Sequence, residues 1–242
     1  MKAKRFAGQS CKSTVIGDLR LENLQSKIYR APVILRVWLP PGYSNSANSK
    51  IKYPALYMFD GQNAFDECTA FPGEHELQID EAVTKLVSEH KIPPIIVIGI
   101  DSSSKRNYEY SPYRDPMSAP REPDPMGKQL PSFLAEEVFP FISSRYRVTD
   151  DPAHVGIGGT SLGASAALST ALNHPELVRL ALIESPNLIL GNGHNFYETP
   201  SSSFELRIGS QSALGKPKCI SRTSSSILRL WDSSKGILIL AP

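Results

Sequence analysis

Gly158-Gly159-Thr160-Ser161-Leu162-Gly163-Ala164 is the stretch that decides how the chain is read. An apolar run ending Val155-Gly156-Ile157 leads into it, and a helix-forming run from Ala164 to Ala171 leads out. A strand, a sharp turn at a serine and then a helix is the layout of a nucleophile elbow. Glycines two residues either side of Ser161 remove the Cβ atoms that such a turn would drive together. The small side chains of Ala164, Ser165, Ala166 and Ala167 let the helix lie close to a sheet. The helix N-terminus then faces the serine and favours a developing negative charge. The bare glycine–serine pattern is weak, since chance alone gives roughly one hit in ten chains of this length. A strand-to-helix turn with glycines for packing would share it. The agreement of strand, turn and small-residue helix is what favours the elbow.

Outward from the elbow the chain alternates strands with helices. Upstream, Val33–Leu39 is β-rich and is stopped by Pro40-Pro41-Gly42. Tyr53–Phe59 is the next strand and ends in Asp60-Gly61-Gln62-Asn63. The spacing of Ile79, Ala82, Val83, Leu86 and Val87 predicts a helix over 78–89 with these residues on one face. The continuous apolar run Ile95–Ile100 is that of a strand buried on both faces in a parallel sheet. Residues 101–128 are long, polar and rich in Pro, Arg and Tyr, and loops of that size are usually functional or disordered. Residues 130–146 read as a helix in spite of Pro140. Downstream, Leu180–Ser185 is another buried strand. The alternation predicts an α/β fold with a doubly wound, mostly parallel sheet.

Residues 1–14 read as a loose end, 15–190 as the folded domain, and 191–242 as an atypical serine-rich tail. In that tail no acid falls between Glu205 and Asp232, and helical periodicity fades. The length of 242 residues suits one domain with a sizeable core. A net charge of +2 carries no nucleic-acid footprint. No apolar run is long enough to cross a bilayer, so no membrane partner is expected. Met1–Phe6 has charges but no hydrophobic stretch behind them, which argues against a secretory signal and for a cytoplasmic location. Cys11, Cys68 and Cys219 are an odd set without metal-ligand spacing and read as free thiols in a reducing compartment.

In an open α/β sheet the reactive groups gather at the carboxyl ends of the strands. Asp60–Asn63, Asp101, Ser161 and Glu184-Ser185 are thereby placed on one rim. The backbone N–H of Leu162 and one from the loop after Tyr53–Phe59, Gln62 before others, could hold an oxyanion there. Asp60-Gly61 reads equally well as a plain turn. Of the histidines, His174 lies roughly 20 Å down the elbow helix at 1.5 Å per residue. His154 and His90 precede strands and belong to the far edge of the sheet. His75 and His194 could reach the rim, though each is more simply a surface residue. This architecture expects a histidine late in the chain, and nothing after His194 is one.

Three stretches together resemble a known family: Val37-Trp38-Leu39-Pro40-Pro41-Gly42-Tyr43, then Tyr53-Pro54 to Asp60-Gly61-Gln62-Asn63, then Gly159-Thr160-Ser161-Leu162-Gly163. They are similar to the putative esterase family of enterochelin, feruloyl and acetyl-xylan esterases, S-formylglutathione hydrolase and the mycolyltransferases. Pro93–Asp101, Arg106–Pro112 and Phe133–Pro140 fit the same family. The resemblance covers residues 15–190. It implies an α/β-hydrolase fold and hydrolysis of a small-molecule or carbohydrate ester, with no metal and no organic cofactor. It implies Ser161 as nucleophile and Gln62 with Leu162 as oxyanion donors. Asp60, Gly61, Arg106, Tyr108 and Tyr110 become candidates for the substrate cleft.

Family members continue after the last strand named above through two further strands that carry the acid and the histidine. Here Phe204–Gly209 could mimic the first of these, with Gln211 near where an acid is wanted. The expectation is a sheet missing its last strands and a serine esterase with impaired turnover. The tail would then stem from a frame change, an alternative exon or a truncated copy. A degenerate relative that only binds its ligand and an acyltransferase are the alternatives.

Overall fold

A computed structural model describes residues 11–112 and 124–186, together with the backbone of a strand at 237–240. Its frame is one sheet of strands β1 (Asp18–Ser26), β2 (Ala31–Leu39), β3 (Ala55–Phe59), β4 (Ile96–Ile100), β5 (Val155–Thr160), β6 (Leu180–Glu184) and β7 (Ile237–Leu240). They lie side by side in the order β1-β2-β4-β3-β5-β6-β7. The central four, β4, β3, β5 and β6, run parallel. β1 and β2 at one edge and β7 at the other are antiparallel to their neighbours. The fold is therefore the expected α/β-hydrolase-type sheet with antiparallel edges. Ile237–Leu240, where missing strands were expected to leave β6 bare, pairs with β6 over Ala181–Glu184. No helix among the described residues is long and apolar enough to cross a membrane.

The strands β3 to β6 fall within two residues of their sequence-predicted bounds, because an uninterrupted apolar run is readable wherever both faces are covered. β4 is buried along its whole length. β1 escapes sequence reading. It is an edge strand with a broken inside–outside pattern, and it leaves Leu21 64% exposed. Each strand sends alternate side chains to opposite faces. Tyr57, Phe59, Ile98, Ile157 and Ile183 enter the larger core, under helix α5 (Leu162–Asn173) and the helical stretch 130–143. Met58, Val97 and Trp38 enter the smaller core on the other face, under helix α1 (Ile79–Ser88).

Two helices differ from expectation. In α1, Ile79 and Val83 point inward as expected, but Ala82 is exposed and Asp80 is fully buried in its place. The stretch predicted as one helix over 130–146 breaks into α3 (Leu130–Ser132), a π-helical segment (Phe133–Val138) and α4 (Phe139–Ser143). Pro140 has no N–H to continue an α-helical ladder, and the N–H of Phe139 reaches five residues back to the carbonyl of Leu134. The predicted loop over 101–128 begins with a short helix, α2 (Arg106–Tyr110).

The reading of the cysteines is overturned. Cys11 and Cys68 form a disulfide, so they are not free thiols, and the argument they offered for a reducing compartment falls with them. An odd count hid the pair, and the two stand 57 residues apart in sequence. The disulfide begins a strap. Ser13 Oγ donates to Asp66 Oδ2 at 2.8 Å, Ile16 N donates to Asp80 Oδ2 at 2.8 Å, and Trp38 Nε1 donates to the Ile16 carbonyl at 2.8 Å. Residues 11–14, expected as part of a loose end, are thus tied to the body. Cys219, His194, Gln211 and the rest of 187–236 lie outside the described residues.

Candidate active site

β5 delivers the chain to Ser161, which takes φ 53° and ψ −119°. That conformation is strained for any residue with a Cβ and is kept only where the surroundings enforce it. The surroundings are visible. Ser161 N donates to the Glu184 carbonyl at 3.0 Å, fastening the turn to the end of β6. Ser165 returns both its N–H (3.1 Å) and its hydroxyl (3.2 Å) to the Ser161 carbonyl. A Cβ on Gly159 would come within 2.6 Å of the Gly163 carbonyl carbon, so β5 and the first turn of α5 cross with no side chain between them. Ser161 itself is exposed, while Leu162 behind it is 4% exposed. Ala164, Ala167 and Ala171 seat α5 on the sheet with no exposure at all. The turn therefore holds an accessible hydroxyl at the N-terminus of a buried helix. As the first residue of that helix, Leu162 has no carbonyl behind it for its N–H.

The second turn follows β3. Asp60 is 1% exposed and left-handed at φ 58°, and it opens a single 3₁₀ turn, Gly61–Asn63. Arg106 on α2 forks onto the Asp60 carboxylate with both contacts at 2.7 Å. The Asp60 N–H donates to the Tyr110 hydroxyl at 3.2 Å. Gln62 is 8% exposed, and its amide is read in both directions by Ser102: Nε2 donates to Ser102 Oγ at 2.9 Å, and Ser102 N donates to Oε1 at 3.0 Å. The Thr69 hydroxyl donates to the Gln62 carbonyl at 2.7 Å. A Cβ on Gly61 would lie 2.4 Å from the Gly99 carbonyl carbon, so this turn is pressed onto β4 backbone to backbone.

The two turns meet. A Cβ on Gly163 would come within 2.8 Å of Asp60 Oδ2 and 3.4 Å of the Phe59 Cβ. Asp60, Gly61, Gln62, Ser161 and Leu162 thus share one rim, as the strand order requires. A cavity of about 220 Å³ opens on the α1 side of that rim, between Leu77–Ile79 and the ends of β5 and β6 at Gly159 and Glu184.

The other residues singled out from the sequence fall as follows. Tyr108 is half-buried on α2, and its carbonyl accepts from Met126 N at 2.8 Å. Tyr110 is only 4% exposed and packs on Phe59 at 5.0 Å between ring centroids. Burial first and the charge of Asp60 second push its phenol well above the ordinary value. Asp101 is forked by Arg36 at 2.7 and 2.9 Å, and burial raises its carboxyl although Arg36 opposes the shift. Of the four described histidines, His90 is exposed in the turn after α1, and the other three pair with carboxylates. His75 is bonded to Glu67 at 2.9 Å with its side chain 92% exposed, His154 to Asp151 at 3.0 Å and His174 to Glu176 at 2.9 Å. Ser102 and Thr69, which grip Gln62, carry no sequence signal beyond being polar residues in loops. Among the described residues no cluster of His, Cys, Asp or Glu could hold a metal.

The fold has counterparts among known proteins. Residues 26–217 match the family model Esterase, described as "Putative esterase". The chain belongs to the putative esterase family. Within the curated proteins it is 25% identical over 143 residues to "Uncharacterized protein YbbA" of Bacillus subtilis (strain 168), covering 58% of this chain and 51% of that one. Among solved structures it resembles the "Siderophore hydrolase EstA from Aspergillus nidulans", with a TM-score of 0.58, 22% identity, and 78% and 64% of the two chains covered. It also resembles a "ferulic acid esterase", with a TM-score of 0.50, 23% identity, and 66% and 55% covered. At these identities the structural likeness establishes the shared fold. The chain spans about half the length of the curated relative and of the feruloyl-type structure it matches. The family match runs past Gly191 into the serine-rich stretch.

Proposed function

We propose that this member of the putative esterase family is a serine-dependent carboxylic ester hydrolase acting on a small-molecule or carbohydrate ester. The observation that carries the reading is the strained, exposed Ser161 set on one rim with the Asp60–Asn63 turn. Ser161 Oγ attacks the acyl carbon and the carbonyl oxygen gains negative charge. The N–H groups of Gln62 and Leu162 receive it, aided by the N-terminus of α5. Loss of the alcohol leaves an acyl-enzyme that water cleaves. Asp60, Gly61, Arg106 and Tyr108 border the cleft, with the cavity beside Gly159 offering room for one end of the ester.

The attack needs a group to take the Ser161 proton, and the histidines His75, His154 and His174 are each bonded to a carboxylate of their own. Oxyanion donors and binding without a positioned base give only residual rates. The expected result is slow hydrolysis of p-nitrophenyl acetate that disappears in Ser161→Ala. Equal rates for the two proteins would sink the reading, and fast serine-dependent turnover would show a base supplied from the residues beyond 186. The same engaged histidines favour a second reading, a relative that binds esters without cleaving them. In that case ligand affinity is intact and indifferent to Ser161→Ala. Acyl transfer is separated from hydrolysis by adding acceptor alcohols and identifying the product ester.

A further inference from the structure

We propose that Arg106 is a positioning residue that acts through Asp60 to hold the Gln62 donor in register with the elbow. The proposal rests on the roles given above to Ser161 and Gln62. It differs from a substrate contact in that the guanidinium never needs to touch the ester.

Besides the Thr69 hydroxyl on the Gln62 carbonyl, the turn that carries Gln62 has three restraints. Gly61 is seated on the backbone of β4, the Gln62 amide is held by Ser102, and Asp60 is forked by Arg106. The first two tie the turn to β4 and the loop that follows it. Only the third faces the elbow. The Asp60 carboxylate fills the space above the first turn of α5, 2.8 Å from where a Cβ on Gly163 would be. A carboxylate in that place has two competing partners. One is the planar guanidinium, matched to both of its oxygens. The other is the set of N–H groups at the start of α5, which attract any anion. The fork at 2.7 Å on both arms keeps the carboxylate on the α2 side. Tyr110 completes the hold by accepting the Asp60 N–H, with Arg106 lying 5.5 Å from its ring centroid. Without Arg106 the buried carboxylate has its charge unmatched, and the nearest donors are those of the elbow helix. It would turn toward them, carry Gln62 along through the left-handed backbone of residue 60, and put its own charge where the oxyanion must form.

The test compares the full-length chain with Arg106→Gln, Arg106→Lys and the double variant Asp60→Asn/Arg106→Gln. p-Nitrophenyl acetate, which carries no charge for an arginine to recognise, is the substrate. The rate of Ser161 phosphonylation by a fluorophosphonate, followed by intact mass, is the turnover-independent readout. Arg106→Gln is expected to lower kcat and the labelling rate by about 10- to 100-fold, below the loss for deleting a donor outright. KM should stay within threefold. Arg106→Lys should fall in between, and the double variant should recover part of the loss because the stray charge is gone. Backbone amide exchange over 60–65 should speed up in Arg106→Gln while that of 164–171 does not. Unchanged rates and exchange in Arg106→Gln, or a rise in KM alone, overturn the proposal. If Ser161→Ala is labelled as fast as the parent, the nucleophile assignment has failed, and exchange over 60–65 still decides whether Arg106 holds the turn. If Arg106→Gln does not fold, Arg106→Lys, which keeps the charge, carries the comparison.

Discussion

After β3 the backbone turns left-handed at Asp60 and is secured by side chains: an arginine fork, a glutamine–serine pair and a threonine hydroxyl. After β5 it turns at Ser161 with a similar positive φ and is secured by backbone hydrogen bonds and by the lack of side chains at Gly159 and Gly163. The rim thus joins a turn held by polar chemistry to a turn held by steric exclusion. The first should respond to charge and pH. The second should respond to added atoms and hardly at all to solution conditions.

Gly159→Ala should show the largest effect. Its new methyl meets backbone atoms of Gly163 and Ala164 at 2.6 to 3.0 Å, and no rotamer change can relieve it. A loss of about 3 kcal/mol in urea unfolding is expected, at the upper end for overpacking. A loss below about 0.5 kcal/mol would mean that the elbow is not sterically set.

The polar side is probed through Asp80, on the helix that docks against the first turn by way of Ile79 N to the Ala64 carbonyl. Burial, with neighbouring Glu81 adding to it, raises the Asp80 carboxyl from 3.8 to about 7, against the opposing hydrogen bond from Ile16 N. Between those two values the folded chain holds a proton that the unfolded chain has lost. Stability from this group is therefore complete below pH 4 and drains away as pH rises to about 7. Glu76, also raised by burial, adds in the same direction. Asp66 is lowered by its hydrogen bonds to Cys68, Ser13 and Thr14 despite burial, and it acts only in more acidic solution. Thermal melts of the parent should drop between pH 4 and 7, and Asp80→Asn should flatten that slope and melt higher than the parent at pH 8. An unchanged slope would remove Asp80 as its source.

The smallest effect is a gain. Ser161→Gly relieves a positive φ at a residue with a Cβ and should stabilise the fold by about 1 kcal/mol, offset in part by glycine's larger unfolded entropy. A destabilised Ser161→Gly would show that the hydroxyl itself holds the elbow together.

These contrasts also explain what could be read in advance. Steric exclusion leaves a mark on the sequence, since Gly159 and Gly163 must stand at fixed distances from Ser161. β3 to β6 announce themselves because burial on both faces demands unbroken apolar runs. The polar hold leaves no such mark. Asp60 and Arg106 are 46 residues apart, Gln62 and Ser102 are 40 apart, and no spacing rule connects them. Cys11 and Cys68 were invisible as a pair for the same reason, and the odd thiol count pointed the wrong way. Asp80 escapes the sequence pattern because helix periodicity reports where apolar residues fall, and here a carboxyl that can stay protonated occupies an inward position.

Gly61 and Gly99 carry one more consequence. Each leaves no space for a Cβ on the other: a methyl on either would strike main-chain atoms at 2.4 to 2.8 Å. Main chain cannot be trimmed by a second mutation, so no compensating change elsewhere can rescue an alanine at either place. Related sequences should therefore vary freely in the residues that line the cleft while this crossing stays bare in all of them, a signature that an alignment could be searched for without reference to the serine.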